Sequence, residues 1–97
     1  MAIKVIIEMQ ARPGERDELK RLLDDLVAAQ GRGRRGFLGS TRYEVLDDPD
    51  LLVEIADWDS VEARTEHLEE AMATGVFEPL VQHMAAPFRV SVISPLA

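Results

Sequence analysis

The chain has 97 residues, and its 18 acidic and 11 basic side chains give a formal net charge of −7. This length fits one domain over residues 1–97, the acidic balance excludes nucleic acid as the main partner, and the absence of cysteine excludes disulfides and thiolate chemistry. Glu8 interrupts the first apolar run and no run reaches membrane-spanning length, so we expect a cytoplasmic protein without a membrane partner.

The N-terminal third of the sequence predicts a strand followed by a helix. Residues 2–10 mostly alternate between apolar and polar side chains, as a strand with one buried face does. Pro13 and Gly14 indicate a turn before the helix, which is expected to end near Gly31. The stripe with helical spacing consists of Leu19, Leu22, Leu23, Leu26 and Val27.

The middle of the sequence predicts a hairpin and the start of a second helix. Residues 37–46 and 51–58 have the composition of strands, and residues 47–50 are typical of a tight turn between them. Asp59 or Ser60 is suited to cap the helix that follows. Its expected inner stripe consists of Val61, Thr65, Leu68 and Met72.

The C-terminal part predicts two further elements. Gly75 interrupts the second helix, and a short helical segment follows with a kink or start at Pro79. Residues 87–94 alternate again and predict the last strand. The order is therefore β-α-β-β-α-β, an α+β fold with an antiparallel sheet and both helices on one face.

The second face of the predicted sheet is partly apolar. Its expected members are Ile6, Leu38, Leu46 and Leu52 beside Lys4, Glu8, Arg42 and Glu44. Burying four such apolar side chains contributes roughly 6–12 kcal/mol of gross transfer free energy. We therefore expect a homodimer that packs sheet on sheet with two-fold symmetry.

With this element order, the chain resembles the antibiotic biosynthesis monooxygenase family, whose members are ferredoxin-like proteins of the dimeric α+β barrel type. The segments that carry the resemblance are Ala11-Arg12-Pro13-Gly14, Gly36-Phe37-Leu38-Gly39, Leu46-Asp47-Asp48-Pro49, Trp58-Asp59-Ser60 and His67-Leu68. The family includes cofactor-free oxygenases of anthrones and quinols, haem-degrading enzymes and small proteins of unknown role.

Two departures from the family pattern bear on function. Family members often carry a glutamate two residues before the tryptophan, where this chain has Ala56, and the nearest acid on the same strand face is Glu54. The resemblance also sets this chain apart from the haem-degrading branch of the family, which relies on an asparagine in the first strand where this chain has Ile7. The region of that branch's histidine ligand offers Phe77 or Val81, with His83 close by. Haem degradation is therefore the less favoured alternative.

The strand-to-helix corner at residues 54–68 is the predicted site. The resemblance points to Trp58 as a wall that stacks on a planar substrate, although a tryptophan closing the core is an open alternative. His67 is expected on the flank of the second helix, either as a base that removes a substrate proton or as an exposed or capping side chain. The expected substrate-binding residues are Tyr43, Ile7, Met9, Met72, Phe77 and Leu80, with Tyr43 facing the helices.

The sequence indicates no metal site, because two distant histidines without cysteine do not supply the ligands that zinc needs. The resemblance to cofactor-free oxygenases implies that no cofactor is used. A loop with Arg32, Arg34 and Arg35 is either solvated or a lip that binds carboxylate or phosphate. We predict a cofactor-independent monooxygenase that acts on a small hydroxylated aromatic with O₂. The alternative is a non-catalytic small-molecule-binding or dimerisation module.

Overall fold

The structure is a computed structural model that describes residues 2–30 and 33–96. The expected helix end at Gly31 and one arginine of the loop, Arg32, lie outside the described residues. The elements are β1 (Ile3–Gln10), α1 (Arg16–Gln30), β2 (Phe37–Val45), β3 (Asp48–Trp58), α2 (Val61–Thr74), α3 (Glu78–Val81) and β4 (Arg89–Ile93). None of the helices in these two ranges is long and apolar enough to cross a membrane.

The four strands form one antiparallel sheet in the order β2-β3-β1-β4. The helices cover one face of it, as an α+β ferredoxin-like fold requires, and this prediction is confirmed. The covered face contributes buried side chains from alternate positions of β1 and β3. These are Ile3, Val5 and Met9 from β1 and Leu52, Ala56 and Trp58 from β3.

Two apolar clusters form the core on the covered face. One cluster joins Met9 and Leu52 to the buried residues Leu19 and Leu23 of α1 and to Leu80 of α3. The other lies at the opposite end of the sheet and consists of Ile3, Val5, Ala56 and Trp58. Ile7 of β1 packs against both clusters, so it marks the boundary between them.

The hairpin turn lies earlier than the sequence suggests. Val45 pairs with Asp48, so the chain reverses at Leu46 and Asp47, and Pro49 already belongs to β3. The predicted turn at residues 47–50 is therefore displaced. Leu46 projects from this turn with 91% of its surface exposed, and it is not part of a sheet face.

A β-bulge in β2 reverses the faces of that strand. Phe37 pairs with Trp58 and Gly39 pairs with Asp57, so Leu38 is an extra residue, and Gly39 adopts a φ of +129°. Beyond the bulge, Tyr43 lies opposite Val53 and faces away from the helices. The prediction that Tyr43 faces the helices is wrong.

Several residues predicted for the outer face of the sheet lie on the face that the helices cover. Arg42 and Glu44 lie opposite Glu54 and Leu52, on the face that the helices cover, and not on the outer face where they were predicted. Leu52 is also wrongly placed by the prediction, because it pairs with Met9 and is only 2% exposed in the core. The apolar side chains that the register places on the outer face are Ile6, Tyr43, Leu51, Val53, Ile55 and Ile93.

Candidate active site

A cavity of about 430 Å³ lies between the sheet and the helices. It separates the two core clusters and is lined by side chains from β1, β3, β4 and all three helices, together with Phe37 and Ser40 of β2. Most of its lining is aliphatic or aromatic. The volume is that of a small-molecule site rather than a packing defect.

The corner between β3 and α2 holds the aromatic wall of this cavity. Ser60 is the N-cap of α2, and its Oγ accepts a hydrogen bond of 3.1 Å from the backbone N–H of Ala63. The backbone N–H of Asp59 donates to the carbonyl of Gly36 at 2.8 Å, which ties the corner to the start of β2. These bonds fix the directions in which Trp58 and the first turns of α2 point.

Trp58 and His67 form a stacked pair in the cavity wall. Trp58 is 5% exposed, and its ring centroid lies 5.2 Å from that of His67 with 33° between the ring planes. Phe37 contacts the indole from another side, edge to face, at 5.2 Å. A planar ligand that enters the cavity therefore meets an aromatic surface with an imidazole beside it.

The imidazole of His67 has a free nitrogen. Its Nδ1 is buried and has no hydrogen-bond partner within residues 2–30 and 33–96. Burial lowers the pKa of His67 from its ordinary value of 6.5, the positive charges of Arg34 and Arg64 act in the same direction, and Glu70 opposes them. His67 is thus a neutral imidazole at neutral pH, which can accept a proton.

A second polar group, the carboxylate of Glu54, lies four residues before Trp58 on β3. Glu54 is only 6% exposed, and its Oε2 lies 3.3 Å from a terminal guanidinium nitrogen of Arg42. Burial raises the pKa of the Glu54 carboxyl, Arg42 opposes this shift, and Asp24 adds to it. Arg42 also donates to Ser40 Oγ at 3.1 Å, so one cation orders two polar groups at this end of the cavity.

The two polar ends of the cavity are separated along one strand. Glu54 and Trp58 lie on the same face of β3, four residues apart, which corresponds to about 13 Å between their Cα atoms. Apolar side chains of β1 and the helices lie between them. The cavity can therefore hold a multi-ring apolar ligand with a polar group at each end.

The structure brings nearly all of the predicted site residues to this cavity. Trp58 and His67 line it, and so do the expected binding residues Ile7, Met9, Met72, Phe77 and Leu80. Tyr43 does not, because the bulge turns it to the other face of the sheet. Met72 is 67% exposed and lies at the rim rather than inside.

Four polar lining residues, Ser40, Glu54, Arg64 and Glu78, are not among the predicted site residues. The sequence does indicate the position of Glu54, because this residue alternates with Leu52, Ala56 and Trp58 along the strand and must face the core with them. Arg64 precedes His67 by one helical turn and therefore shares its face of α2. The position of Ser40 depends on the bulge, for which the sequence offers only Gly39 as a hint.

Outside the cavity, His83 has a local partner. Its Nδ1 lies 2.7 Å from Glu15 Oε1, next to the start of α1. Residues 2–30 and 33–96 contain no group of three or more histidine and acidic side chains that could hold a metal ion. The polar side chains that line the cavity are Ser40, Glu54, Arg64, His67 and Glu78.

A cavity in a ferredoxin-like fold, with a tryptophan at the end of the third strand and a histidine on the following helix, defines a small α+β domain with a candidate small-molecule site. The sequence profile described as antibiotic biosynthesis monooxygenase matches residues 2–79, and the chain belongs to this family. No curated protein sequence matches the chain.

Solved structures share the fold over nearly the whole chain. The protein Rv0793 of Mycobacterium tuberculosis is 26% identical, with a TM-score of 0.81 over 100% of this chain and 97% of that one. A variant of SnoaB, a cofactor-independent oxygenase of Streptomyces nogalater, is 16% identical, with a TM-score of 0.81 over 97% and 92%. A conserved protein of Methanosarcina mazei Go1 is 18% identical, with a TM-score of 0.83 over 96% and 91%.

Proposed function

We propose that this chain is a cofactor-independent monooxygenase that oxidises a small hydroxylated aromatic, such as an anthrone or a quinol, with O₂. The observation that carries the proposal is the His67 imidazole, which is stacked on Trp58 inside an apolar cavity and has a buried nitrogen without a partner in the described residues. The family supports a monooxygenase role, and the similar fold of SnoaB, a cofactor-independent oxygenase, is consistent with it.

The reaction on an anthrone needs only a base, a dry pocket and O₂. Neutral His67 removes a proton from the activated methylene carbon, and the carbanion transfers an electron to O₂. The substrate radical and superoxide combine to a peroxide anion, which takes the proton back from His67. The hydroperoxide then loses water to leave a carbonyl. One O₂ is consumed for each anthrone, and one oxygen atom appears in the quinone while the other leaves as water.

The side chains of the cavity have definite roles in this scheme. Trp58 supports the ring system by stacking, and the apolar walls exclude water, which favours reaction of the carbanion with O₂ over its reprotonation. Glu54, whose pKa is raised by burial, is suited to exchange a hydrogen bond with a hydroxyl group at the far end of the substrate.

The test is O₂ uptake by purified, metal-free protein with anthrone. We expect a rate above the protein-free control, and His67→Ala should lower it by about 10²- to 10⁴-fold because it removes a general base. His83→Ala is the matched control and should keep the rate, since His83 contacts Glu15 outside the cavity. Rates equal to the protein-free control for anthrone and for a panel of hydroquinones would contradict the proposal.

A non-catalytic binding role is the second candidate. It is favoured by the lowered pKa of His67, which makes the imidazole a weaker base than an exposed histidine. Trp58 is the only tryptophan and lines the cavity, so its fluorescence reports ligand entry. Saturable quenching by anthrone without O₂ uptake would identify a binding module.

We further propose that two copies associate through the outer face of the sheet. The register places six apolar side chains there, and no helix of the described residues covers them. The ion pair between Lys4 and Asp57 and the one between Glu8 and Arg89 lie on the same face. An apolar centre with charged pairs is the composition of a sheet-on-sheet interface.

A further inference from the structure

Arg64 lines the cavity without an acidic partner. Its guanidinium makes no ion pair within residues 2–30 and 33–96, although the chain has 18 acidic side chains. Burial lowers the pKa of Arg64, and no neighbouring acid opposes this shift. Two acids, Glu54 and Glu78, also line the cavity, but neither forms an ion pair with Arg64, and a partly buried cation is stabilised when an anion joins it.

Five other arginines among the described residues form ion pairs. The pairs are Arg16 with Asp17 and Glu44, Arg21 with Glu18 and Asp25, Arg34 with Glu70, Arg42 with Asp24 and Glu54, and Arg89 with Glu8. Arg12 and Arg35 have no ion pair within the described residues either, but both are exposed to solvent and need none. Arg64 is the arginine among the described residues that faces the cavity.

The sequence of α2 keeps acids away from Arg64. Side chains three and four positions apart are neighbours on a helix, and those positions around Arg64 hold Ser60, Val61, His67 and Leu68. The acids of α2 fall at other positions, Glu62, Glu66, Glu69 and Glu70. On α1, by contrast, Arg21 has an acid both three residues before it and four residues after it.

We propose that Arg64 binds a carboxylate group of the aromatic substrate and thereby selects carboxylated over neutral ring systems. The inference rests on the proposed function only in that the ring occupies the same cavity. Arg64 and His67 are three residues apart, so their Cα atoms differ by about 4.5 Å along the helix axis. A ring stacked on Trp58 and beside His67 can therefore carry a carboxylate within reach of the guanidinium.

The substrate then has a defined pattern of groups. Its acidic carbon or phenol lies at His67, its carboxylate lies one helical turn towards the start of α2, and its apolar rings extend towards Ile7 and Met9. A hydroxyl at the far end meets Glu54. Because Arg64 provides charge-assisted hydrogen bonds in a partly dry site, a neutral amide of the same shape leaves the guanidinium unpaired and binds less tightly.

The test compares two redox-stable ligands of the same shape, anthraquinone-2-carboxylate and anthraquinone-2-carboxamide, by quenching of Trp58 fluorescence at pH 7. We expect the carboxylate to bind the wild-type protein about tenfold or more tightly than the amide. Arg64→Gln should abolish this preference, and Arg64→Lys should retain part of it. Arg35→Gln removes an exposed arginine of equal charge and should leave the preference unchanged.

Thermal unfolding shows whether Arg64→Gln remains folded. Arg64→Lys keeps the positive charge, so a partial carboxylate preference in this more conservative variant tests the role of the side chain without a loss of folding. Equal affinity for the two ligands, a preference that survives in Arg64→Gln, or no quenching by either ligand would each overturn the inference. The ligands do not react with O₂, so a carboxylate preference without O₂ uptake on anthrone would support this inference while the proposed oxygenase activity fails.

Discussion

The proton affinity of His67 is set by side chains from three parts of the chain. Burial against Trp58 lowers the pKa of the imidazole, Arg34 of the loop before β2 lowers it further, and Glu70 on α2 raises it. Arg34 and Glu70 are themselves paired at 2.5 Å, and they shift the pKa of His67 in opposite directions. A change at Arg34 therefore acts on His67 in two ways.

Replacement of Arg34 by glutamine should move the acid limb of the pH–rate profile to higher pH. The variant loses a positive charge that lowers the pKa of His67, and the unpaired carboxylate of Glu70 then raises that pKa more strongly. A base is active only when neutral, so kcat/KM falls as the pH drops through its pKa. In the wild-type protein this limb should lie below pH 6.5, the ordinary value for histidine.

The profiles are measured by O₂ uptake with anthrone, after subtraction of the protein-free rate at each pH. Arg35→Gln removes the same charge from the neighbouring exposed residue, which is not among the groups that shift His67, and its limb should stay in place. An acid limb at lower pH in Arg34→Gln would show that a group other than His67 accepts the proton.

At the scale of elements, the join between β2 and α2 depends on the absence of a side chain at Gly36. Its φ is +86°, and an added Cβ would lie 2.5 Å from Ala63 Cβ and 2.7 Å from Asp59 Oδ1. The carbonyl of Gly36 also accepts the backbone hydrogen bond of Asp59. This close approach holds the start of α2 against the sheet, and with it the Trp58–His67 pair.

Gly36→Ala should therefore destabilise the protein more than an alanine at another left-handed glycine. Gly14 has a φ of +79° and no atom within 4 Å of an added Cβ, so Gly14→Ala measures the backbone cost alone, about 1–2 kcal/mol. The steric overlap at Gly36 should add about 1–3 kcal/mol to the loss in free energy of unfolding. Urea unfolding followed by Trp58 fluorescence gives both values, and equal losses would contradict the close approach.

The sequence predicts the elements of this fold well and their faces less well. Strand alternation, the leucine stripe of α1 and the Ser60 cap are local patterns, and the structure confirms them. The side of the sheet that Tyr43 faces depends on one extra residue at Leu38, and the alternation pattern does not reveal that residue. Because every later residue of β2 changes face with it, one missed bulge misplaced Arg42 and Glu44 as well.

The inner face of α2 was misplaced for a different reason. The sequence suggests a stripe of large apolar residues, but Val61 is 50% and Met72 is 67% exposed. The face towards the sheet instead carries His67 and the small side chain of Ala71, which is 3% exposed. Leu68 of the predicted stripe also lines the cavity, so the inner face keeps part of that stripe and is shifted towards His67 and Ala71. His67 and Ala71, which take the place of large apolar side chains on this face, line the cavity.

For the whole molecule, the sheet face opposite the helices is the surface through which we propose that two copies associate. Ile6 and Ile55 lie opposite each other near its centre and are only partly buried in the single chain. A domain of this size buries a modest share of its surface alone. Covering the outer face with the same face of a second copy would remove these side chains from water.

Light scattering at micromolar concentration should therefore give a mass near twice the 10.8 kDa of one chain. Ile55→Asp places a charge at the centre of the face and should halve this mass, because an interface cannot bury an unpaired carboxylate. Leu46→Asp is the matched control: Leu46 lies in the hairpin turn, is 91% exposed, and should leave the mass unchanged. Leu52 is unsuitable for this test, because it is buried in the core of each chain.

A second readout does not depend on the variants, since the melting temperature of a dimer rises with protein concentration. A wild-type mass of one chain, or a melting temperature independent of concentration, would contradict association through this face.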